Sequence, residues 1–511
     1  MDKKIRLYFT SDLHGYFFPT VYADRSKRDM GLFKCANRFV KDGDALLIDG
    51  GDILQGSAFT SYCQSALKSS LPVAELMNRC GYDFVTLGNH DSNYGAEYLS
   101  SYLHALKARC VCGNFSTEDG HTPYPFQIRT MANGLKIGIA GVVTDYVTVW
   151  EKAENLRGVR IKDAFESAKA ALDEMREKAD ITVCVYHGGF ERDLNTGAVL
   201  TNTKENIACR ICEELDFDIL LTGHQHMSVP GRPINGTFTL QSAENGKEFH
   251  LIEISVDEKG HKSIASQRVA AGGACDPALY GAFAPLENQV QKWLDETVGY
   301  MERELLPEDR IRMAAHGNGI ADFLNHIQLY FSGAQVSAVS LANDVSGLNK
   351  TVTRRNILST YPYPNSLVAL EITGEMLRSA IERSAEYFTL ENGCLRVSDT
   401  FLKPKVEHYN YDYYAGIAYQ IDVTRPVGSR VVKLTREGKA VKDDDLLSVC
   451  VNNYRASGAG GYPMYPNCRV LREINTDMSD LILKYFELHP HISGSEIKPG
   501  SFQIVKEEMP K

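Results

Sequence analysis

Ile5-Arg6-Leu7-Tyr8-Phe9-Thr10-Ser11-Asp12-Leu13-His14-Gly15 is an apolar run that ends on a carboxylate and an imidazole. It reads as a β-strand delivering two potential metal ligands at its carboxyl end. The pattern recurs downstream. Ala45-Leu46-Leu47-Ile48 ends in Asp49-Gly50-Gly51-Asp52, and residues 84–87 end in Gly88-Asn89-His90-Asp91. Residues 181–186 end in His187-Gly188-Gly189, and residues 217–221 lead to Gly223-His224-Gln225-His226. α/β sheets place their binding sites beyond the carboxyl ends of strands, so ligands from all five runs are expected to converge on one rim. The neighbouring glycines permit sharp turns there.

Other runs at 136–143, 238–240 and 250–256, and helical patterns at 73–80 and 164–178, complete an α/β first half. The 238–240 and 250–256 runs read as antiparallel strands closing the domain. Residues 270–285 are rich in Ala, Gly and Pro and mark a boundary, and 286–306 has the periodicity of a connecting helix. The expected division is a catalytic domain over 1–270, a linker with connecting helix over 271–306, and a second domain over 307–511. The second domain mixes an amphipathic helix at 374–388 with strands at 417–423 and 446–451, which implies an α+β fold.

The 511 residues exceed what one ordinary core supports, so more than one domain is required. The 55 basic and 65 acidic residues leave a net charge of −10, which excludes a broad nucleic-acid surface. A small phosphorylated substrate is compatible with that charge if bound cations supply local positive charge. No apolar run reaches membrane-spanning length, and no apolar stretch of signal-peptide length precedes the first strand. The 12 cysteines are scattered without a CxxC pair, and the expectation is a reduced, cytoplasmic chain without a membrane partner.

Taken singly, Asp-x-His, Gly-Asn-His or His-x-His is weak, because each is an ordinary turn sequence. In series, Asp-x-His, Gly-Asp, Gly-Asn-His, His-Gly-Gly and Gly-His-x-His resemble the calcineurin-like metallophosphoesterases. The strings SDLHGYFFP, DGGDILQGS, LGNHDSNYG and LLTGHQH resemble the 5′-nucleotidase branch of that family more narrowly. The resemblance implies a β-sandwich flanked by helices and a pair of divalent ions. Asp12, His14 and His226 would hold one ion, Asn89, His187 and His224 the other, and Asp52 would bridge them. Histidines with carboxylates suit Mn²⁺, Zn²⁺ or Fe²⁺ better than Mg²⁺. Such ions lower the pKa of bound water and offset charge on transferring phosphoryl oxygens. His90 would contact the phosphoryl group. The family's 5′-nucleotidases pair this histidine with an Asp three positions on, where this chain has Asn93.

The second half carries Val451-Asn452-Asn453-Tyr454-Arg455-Ala456-Ser457-Gly458-Ala459-Gly460-Gly461-Tyr462, Tyr409-Asn410-Tyr411-Asp412-Tyr413-Tyr414 and Tyr361-Pro362-Tyr363-Pro364-Asn365. These resemble the family's 2′,3′-cyclic-nucleotide 2′-phosphodiesterase/3′-nucleotidase members. By that resemblance Tyr411 and Tyr454 would sandwich a base, and Gly458 and Gly460 would let backbone approach the nucleoside. Residues 340–346 lack the arginine of many 5′-nucleotidases, and Gly460 stands where those enzymes carry an Asp. The expected activity is therefore hydrolysis of 2′,3′-cyclic nucleotides and 3′-nucleotides. The alternatives are a 5′-nucleotidase or nucleotide-sugar hydrolase, and a non-catalytic nucleotide- or metal-binding sensor. Oligomeric state is not encoded in any of these patterns.

Overall fold

The computed structural model describes residues 2–199, 204–363, 365–403, 405–474 and 476–506. The chain divides into two compact units, Met1–Gln291 and Lys292–Lys511.

In the first unit two six-stranded sheets face each other. The first sheet has the strand order Lys262–Ala270, Glu248–Val256, Lys3–Thr10, Ala45–Asp49, Phe84–Val85, Arg109–Cys110. The second has the order Val229–Ile234, Thr237–Gln241, Ile219–Thr222, Ile181–His187, Lys136–Val143, Gln127–Thr130. Period-two alternation explains the layering. Ile5, Leu7 and Phe9 of the first sheet pack against Ile137, Ile139, Ile181, Val183, Val185, Ile219 and Leu221 of the second. The intervening residues Ala140, Val142, Cys184, Tyr186 and Leu220 point the other way, onto the helices Ala164–Met175 and Ala208–Glu214. Strands buried on both faces read as continuous apolar runs, which is how 136–143 and 181–186 look in the sequence.

The central strands of each sheet run parallel. Lys3–Thr10 pairs parallel with Ala45–Asp49, which pairs parallel with Phe84–Val85. In the other sheet Lys136–Val143, Ile181–His187 and Ile219–Thr222 are mutually parallel. The carboxyl ends that carry the polar motifs therefore lie together within each sheet.

Two expectations are corrected. Thr237–Gln241 is parallel to Ile219–Thr222 and antiparallel only to Val229–Ile234, because the hairpin strand Val229–Ile234 reverses the chain first. The proposed connecting helix starts and ends earlier than expected, spanning Pro277–Leu294. Residues Thr297–Met301 are instead a strand paired with Thr351–Thr353 and His491–Ile492. The division between the units falls near the end of that helix, between Gln291 and Lys292, with Leu279, Phe283 and Val290 buried before it.

The second unit is α+β. A five-stranded mixed sheet has the order Asp412–Ala415, Val336–Ser340, Leu446–Asn452, Leu367–Thr373, Arg469–Ile474. The helix Gly374–Ala385 is capped by the Thr373 hydroxyl, which accepts the Met376 N–H, and buries Leu377, Ala380, Ile381 and Ala385. Phe388, expected to close this helix, begins the strand Phe388–Glu391.

The inter-sheet layer should dominate the first unit's stability. Ile139→Ala is expected to destabilise it by about 2–5 kcal/mol. Ile128→Ala on the partly exposed edge strand should stay within about 0.5 kcal/mol. Denaturant unfolding of the two variants measures the difference.

Candidate metal centre

Three of the five strand ends turn sharply to present their ligands. Asp12, His14, Asp52, His224 and His226 all have positive φ, at 54°, 47°, 59°, 73° and 57°. Such backbone is unfavourable for L-residues by roughly 1–2 kcal/mol each, so five in one cluster require support from the surrounding structure. Part of that support is steric. A Cβ on Gly88 would lie 2.1 Å from Asp52 Oδ1, and one on Gly223 would lie 2.7 Å from Asp12 Oδ2.

The result is one cluster from seven distant positions. On one side His14 Nε2 and His226 Nε2 are 2.9 Å apart, and His226 Nε2 is 3.5 Å from Asp12 Oδ1. On the other side Asn89 Oδ1 is 2.8 Å from His224 Nδ1 and 3.2 Å from His187 Nε2. Asp52 lies between the two groups, its Oδ2 3.2 Å from His187 Nε2 and 3.9 Å from His14 Nε2. Asp12 and Asp52 are each at most 1% exposed.

The outward faces of the rings are tied down, which aims the inward nitrogens. His14 Nδ1 donates to the Gln55 carbonyl at 2.9 Å, and His187 Nδ1 donates to the Gly50 carbonyl at 2.7 Å. His224 is turned over: its Nε2 donates to Glu205 Oε1 at 3.0 Å, leaving Nδ1 facing Asn89. Trp150 stacks on the His224 ring at a centroid distance of 5.4 Å. Asp52 Oδ1 accepts the His90 backbone N–H at 2.7 Å. Asp52 Oδ2 is buried, makes no well-aligned hydrogen bond among the described residues, and is left with the His187 ring as an ion-pair neighbour at 3.2 Å.

That buried oxygen, two sets of nitrogen and oxygen ligands, and the absence of any Lys or Arg paired to Asp12 or Asp52 among the described residues fit a pair of divalent cations. Burial alone would raise the Asp52 pKa, but the His187, His90 and His14 rings outweigh it and hold the carboxyl well below its usual range. Burial likewise pushes His187 down, yet Asp52 and Asp12 raise it to about 10.

Two supporting residues have no role assigned by the sequence reading, although Asp91 lies within the Gly88–Asp91 string. Asp91 accepts the backbone N–H groups of Asp52, Ile53, Leu54 and Gly88 at 2.8–3.0 Å. It thereby locks the loop bearing Asp52 to the loop bearing Asn89 and His90. Glu205 lies 15 or more positions from any ligand string, on a loop without periodicity, and only the fold brings it to His224.

His90 sits beside His14, with ring centroids 5.5 Å apart, and its Nδ1 is 2.8 Å from Asn93 Oδ1. The second unit departs from expectation. Tyr411 is 2% exposed, donates its hydroxyl to the Ala314 carbonyl, and is packed by Tyr387, Phe388 and Tyr413. A ring enclosed this way offers no open face to a base, so its placement is that of a core residue. Tyr454 is half-buried. The Gly458 and Gly460 α-carbons face Pro466 and the Arg455–Asn410 pair, where a Cβ would lie 2.7 Å and 2.2 Å away. Gly460 thus admits the Arg455 guanidinium, and Gly458 makes room for the Pro466 ring. Arg455 makes a bidentate, fully buried pair with Asp412 at 2.9 and 3.0 Å and donates to the Ala459 and Tyr409 carbonyls. It ties the Tyr409–Asp412 segment to the loop after Tyr454. Pro364 of the third tyrosine string lies outside the described residues. Arg355 pairs with Asp295, and Arg354 with Glu296.

A cation must displace the proton that His187 holds up to about pH 10 in the bare site. Titration with Mn²⁺ near pH 8, in two buffers of different ionisation enthalpy, should therefore show release of about one proton, with affinity rising with pH. Binding that releases no proton and is flat in pH would contradict the His187 assignment.

Residues 5–228 match the calcineurin-like phosphoesterase family, and residues 298–467 match the 5′-nucleotidase C-terminal domain. The fold is similar to the crystal structure of a Staphylococcus aureus protein assigned as a 5′-nucleotidase and solved with α-ketoglutarate. That comparison gives 32% identity and a TM-score of 0.90, covering 99% of this chain and 100% of that one. A 2′,3′-cyclic-nucleotide 2′-phosphodiesterase/3′-nucleotidase of Haemophilus influenzae is 27% identical, over 89% of this chain and 80% of its own. The trifunctional nucleotide phosphoesterase YfkN of Bacillus subtilis is 24% identical over 93% of this chain, which spans 37% of that protein's length. Carrying both domains in one chain, and sharing 32% identity with a relative covered from end to end, the protein belongs to the 5′-nucleotidase family of calcineurin-like phosphoesterases.

Proposed function

We propose that this chain hydrolyses nucleotide phosphoesters, with 2′,3′-cyclic nucleotides and 3′-nucleotides as its substrates. The observation that carries the hydrolytic reading is Asp52, whose buried Oδ2 lies between two groups of imidazole, amide and carboxylate ligands, 3.2 Å from His187 Nε2 and 3.9 Å from His14 Nε2. In this reading Asp12, His14 and His226 would hold one divalent cation, Asn89, His187 and His224 would hold a second, and Asp52 would serve both. When bound, the cations supply Lewis-acid polarisation of the phosphoryl group and activation of water. The chain's own groups do the rest. Backbone carbonyls of Gln55 and Gly50 fix the His14 and His187 rings, and Asp91 fixes the loop that carries Asp52. His90, anchored through Nδ1 to Asn93, leaves Nε2 for a phosphoryl oxygen.

The substrate preference draws on the Haemophilus influenzae relative and on Asn93, which stands where 5′-nucleotidases of the family carry Asp. Within the second unit, the half-buried Tyr454 ring is the remaining candidate to stack on a base, with Gly458 and Gly460 shaping the loop beside it. A second reading, hydrolysis of 5′-nucleotides, is favoured by the Staphylococcus aureus relative, which is covered over its whole length. A cytoplasmic location belongs to the proposal, supported by 12 cysteines that are all unpaired.

Purified protein with Mn²⁺, offered 2′,3′-cyclic AMP, 3′-AMP, 5′-AMP and UDP-glucose, tests the choice by phosphate release. The two 2′/3′ substrates should turn over fastest, and a clear preference for 5′-AMP selects the second reading. Asp52→Asn and His90→Ala should each lower kcat by roughly 100-fold or more with the fold intact.

A further inference from the structure

Asn93 is neutral, and a neutral amide beside an imidazole has two orientations that differ in which atom faces the ring. The structure contains a group that chooses between them. Asn93 Nδ2 donates to Glu151 Oε2 at 2.5 Å, while Asn93 Oδ1 faces His90 Nδ1 at 2.8 Å. Glu151 is in turn held in place. Its Oε1 accepts Asn155 Nδ2 and the Lys152 backbone N–H, both at 2.8 Å, and Asn155 Nδ2 also donates to the Asn93 carbonyl at 2.9 Å. No Lys or Arg pairs with Glu151 among the described residues, so its charge faces amide donors alone.

We propose that Glu151 is a positioning residue that orients His90 through Asn93. The proposal rests on the hydrolase reading above. An ionised carboxylate only accepts hydrogen bonds, so Glu151 compels the Asn93 NH₂ to face it. The amide oxygen is then committed to the ring, and neutral His90 must carry its proton on Nδ1. That leaves Nε2 as the nitrogen aimed at the phosphoryl group. The nearby negative charge also polarises the amide, increasing electron density on the oxygen that faces the imidazole. Glu151 follows directly on the helix Val147–Trp150, whose Trp150 stacks on His224, so the relay and the ligand cluster share one support. Without the carboxylate, the amide is free to turn its NH₂ toward His90 and impose the other tautomer.

The chain as it stands tests this in four forms: wild type, Glu151→Ala, Asn93→Asp, and Asn93→Asp with Glu151→Gln. With 3′-AMP and Mn²⁺, Glu151→Ala should lower kcat by roughly 10- to 100-fold while KM, melting temperature and Mn²⁺ content stay near wild type. Asn93→Asp alone places two carboxylates face to face and should also be impaired. Adding Glu151→Gln gives the new Asp a donor behind it and should restore kcat to within a few-fold of wild type. Unchanged kcat in Glu151→Ala, or a double variant no better than Asn93→Asp, would overturn the relay. A readout independent of turnover is the ¹⁵N spectrum of histidine-labelled protein, with His90 assigned by its own substitution. The wild-type ring should be protonated at Nδ1, and Glu151→Ala should mix or reverse the tautomers. A wild-type Nε2–H ring would overturn the proposal even in a chain that hydrolysed nothing, an outcome that by itself would sink only the hydrolase reading.

Discussion

A carboxylate buried among imidazole rings is the constraint on which this structure depends. Asp52 is 1% exposed and its Oδ2 makes no well-aligned hydrogen bond among the described residues. Burying such a group is strongly unfavourable unless opposite charge lies close by. Here the opposite charge comes from imidazolium in the bare site or from cations when they bind. The ordered surroundings follow from that need. Asp91 gathers four backbone N–H groups to fix the loop, Gly88 withdraws its side chain from the carboxylate, and five ligands accept left-handed backbone to face inward. The sandwich supplies the rigidity, because its apolar inter-sheet layer fixes the strand ends from which those turns depart.

Most of this centre was legible in the sequence because strand periodicity and polar termini coincide. Residues 136–143 were read with the observed bounds, and the ligands at Asp12, Asp52, Asn89, His187 and His224 each follow a run that does form a strand. What escaped was whatever depends on contacts between distant segments. Asp91 and Glu205 look like any turn carboxylate until Asp52 and His224 are placed beside them. The parallel pairing of Thr237–Gln241 was hidden because a short reversing hairpin precedes it, and pairing direction is set by tertiary context. The connecting helix was misplaced because Pro285 and small residues near it suggested a break, whereas Pro285 lies inside the helix Pro277–Leu294.

The second unit shows the limit of motif reading in another way. Tyr411 lies in a string that resembles a base-stacking segment, yet its ring is enclosed by three others and its hydroxyl is committed to a backbone carbonyl. Four tyrosines within six positions cannot be ranked for exposure by composition. Tyr411, Tyr413 and Tyr414 are all buried, beside the buried Arg455–Asp412 pair. The same pair gives the glycine loop a physical reason that nucleoside contact alone did not supply. Gly460 has no side chain because Arg455 and Asn410 occupy that space.

The most direct test of the centre is diffraction from crystals soaked in Mn²⁺, with data collected at the manganese absorption edge. Two anomalous peaks should appear at the rim of the first unit, both in contact with Asp52, one beside His14 and His226 and the other beside His187 and His224. A single peak, or ions bound elsewhere while Asp52 Oδ2 stays unliganded, would contradict the account.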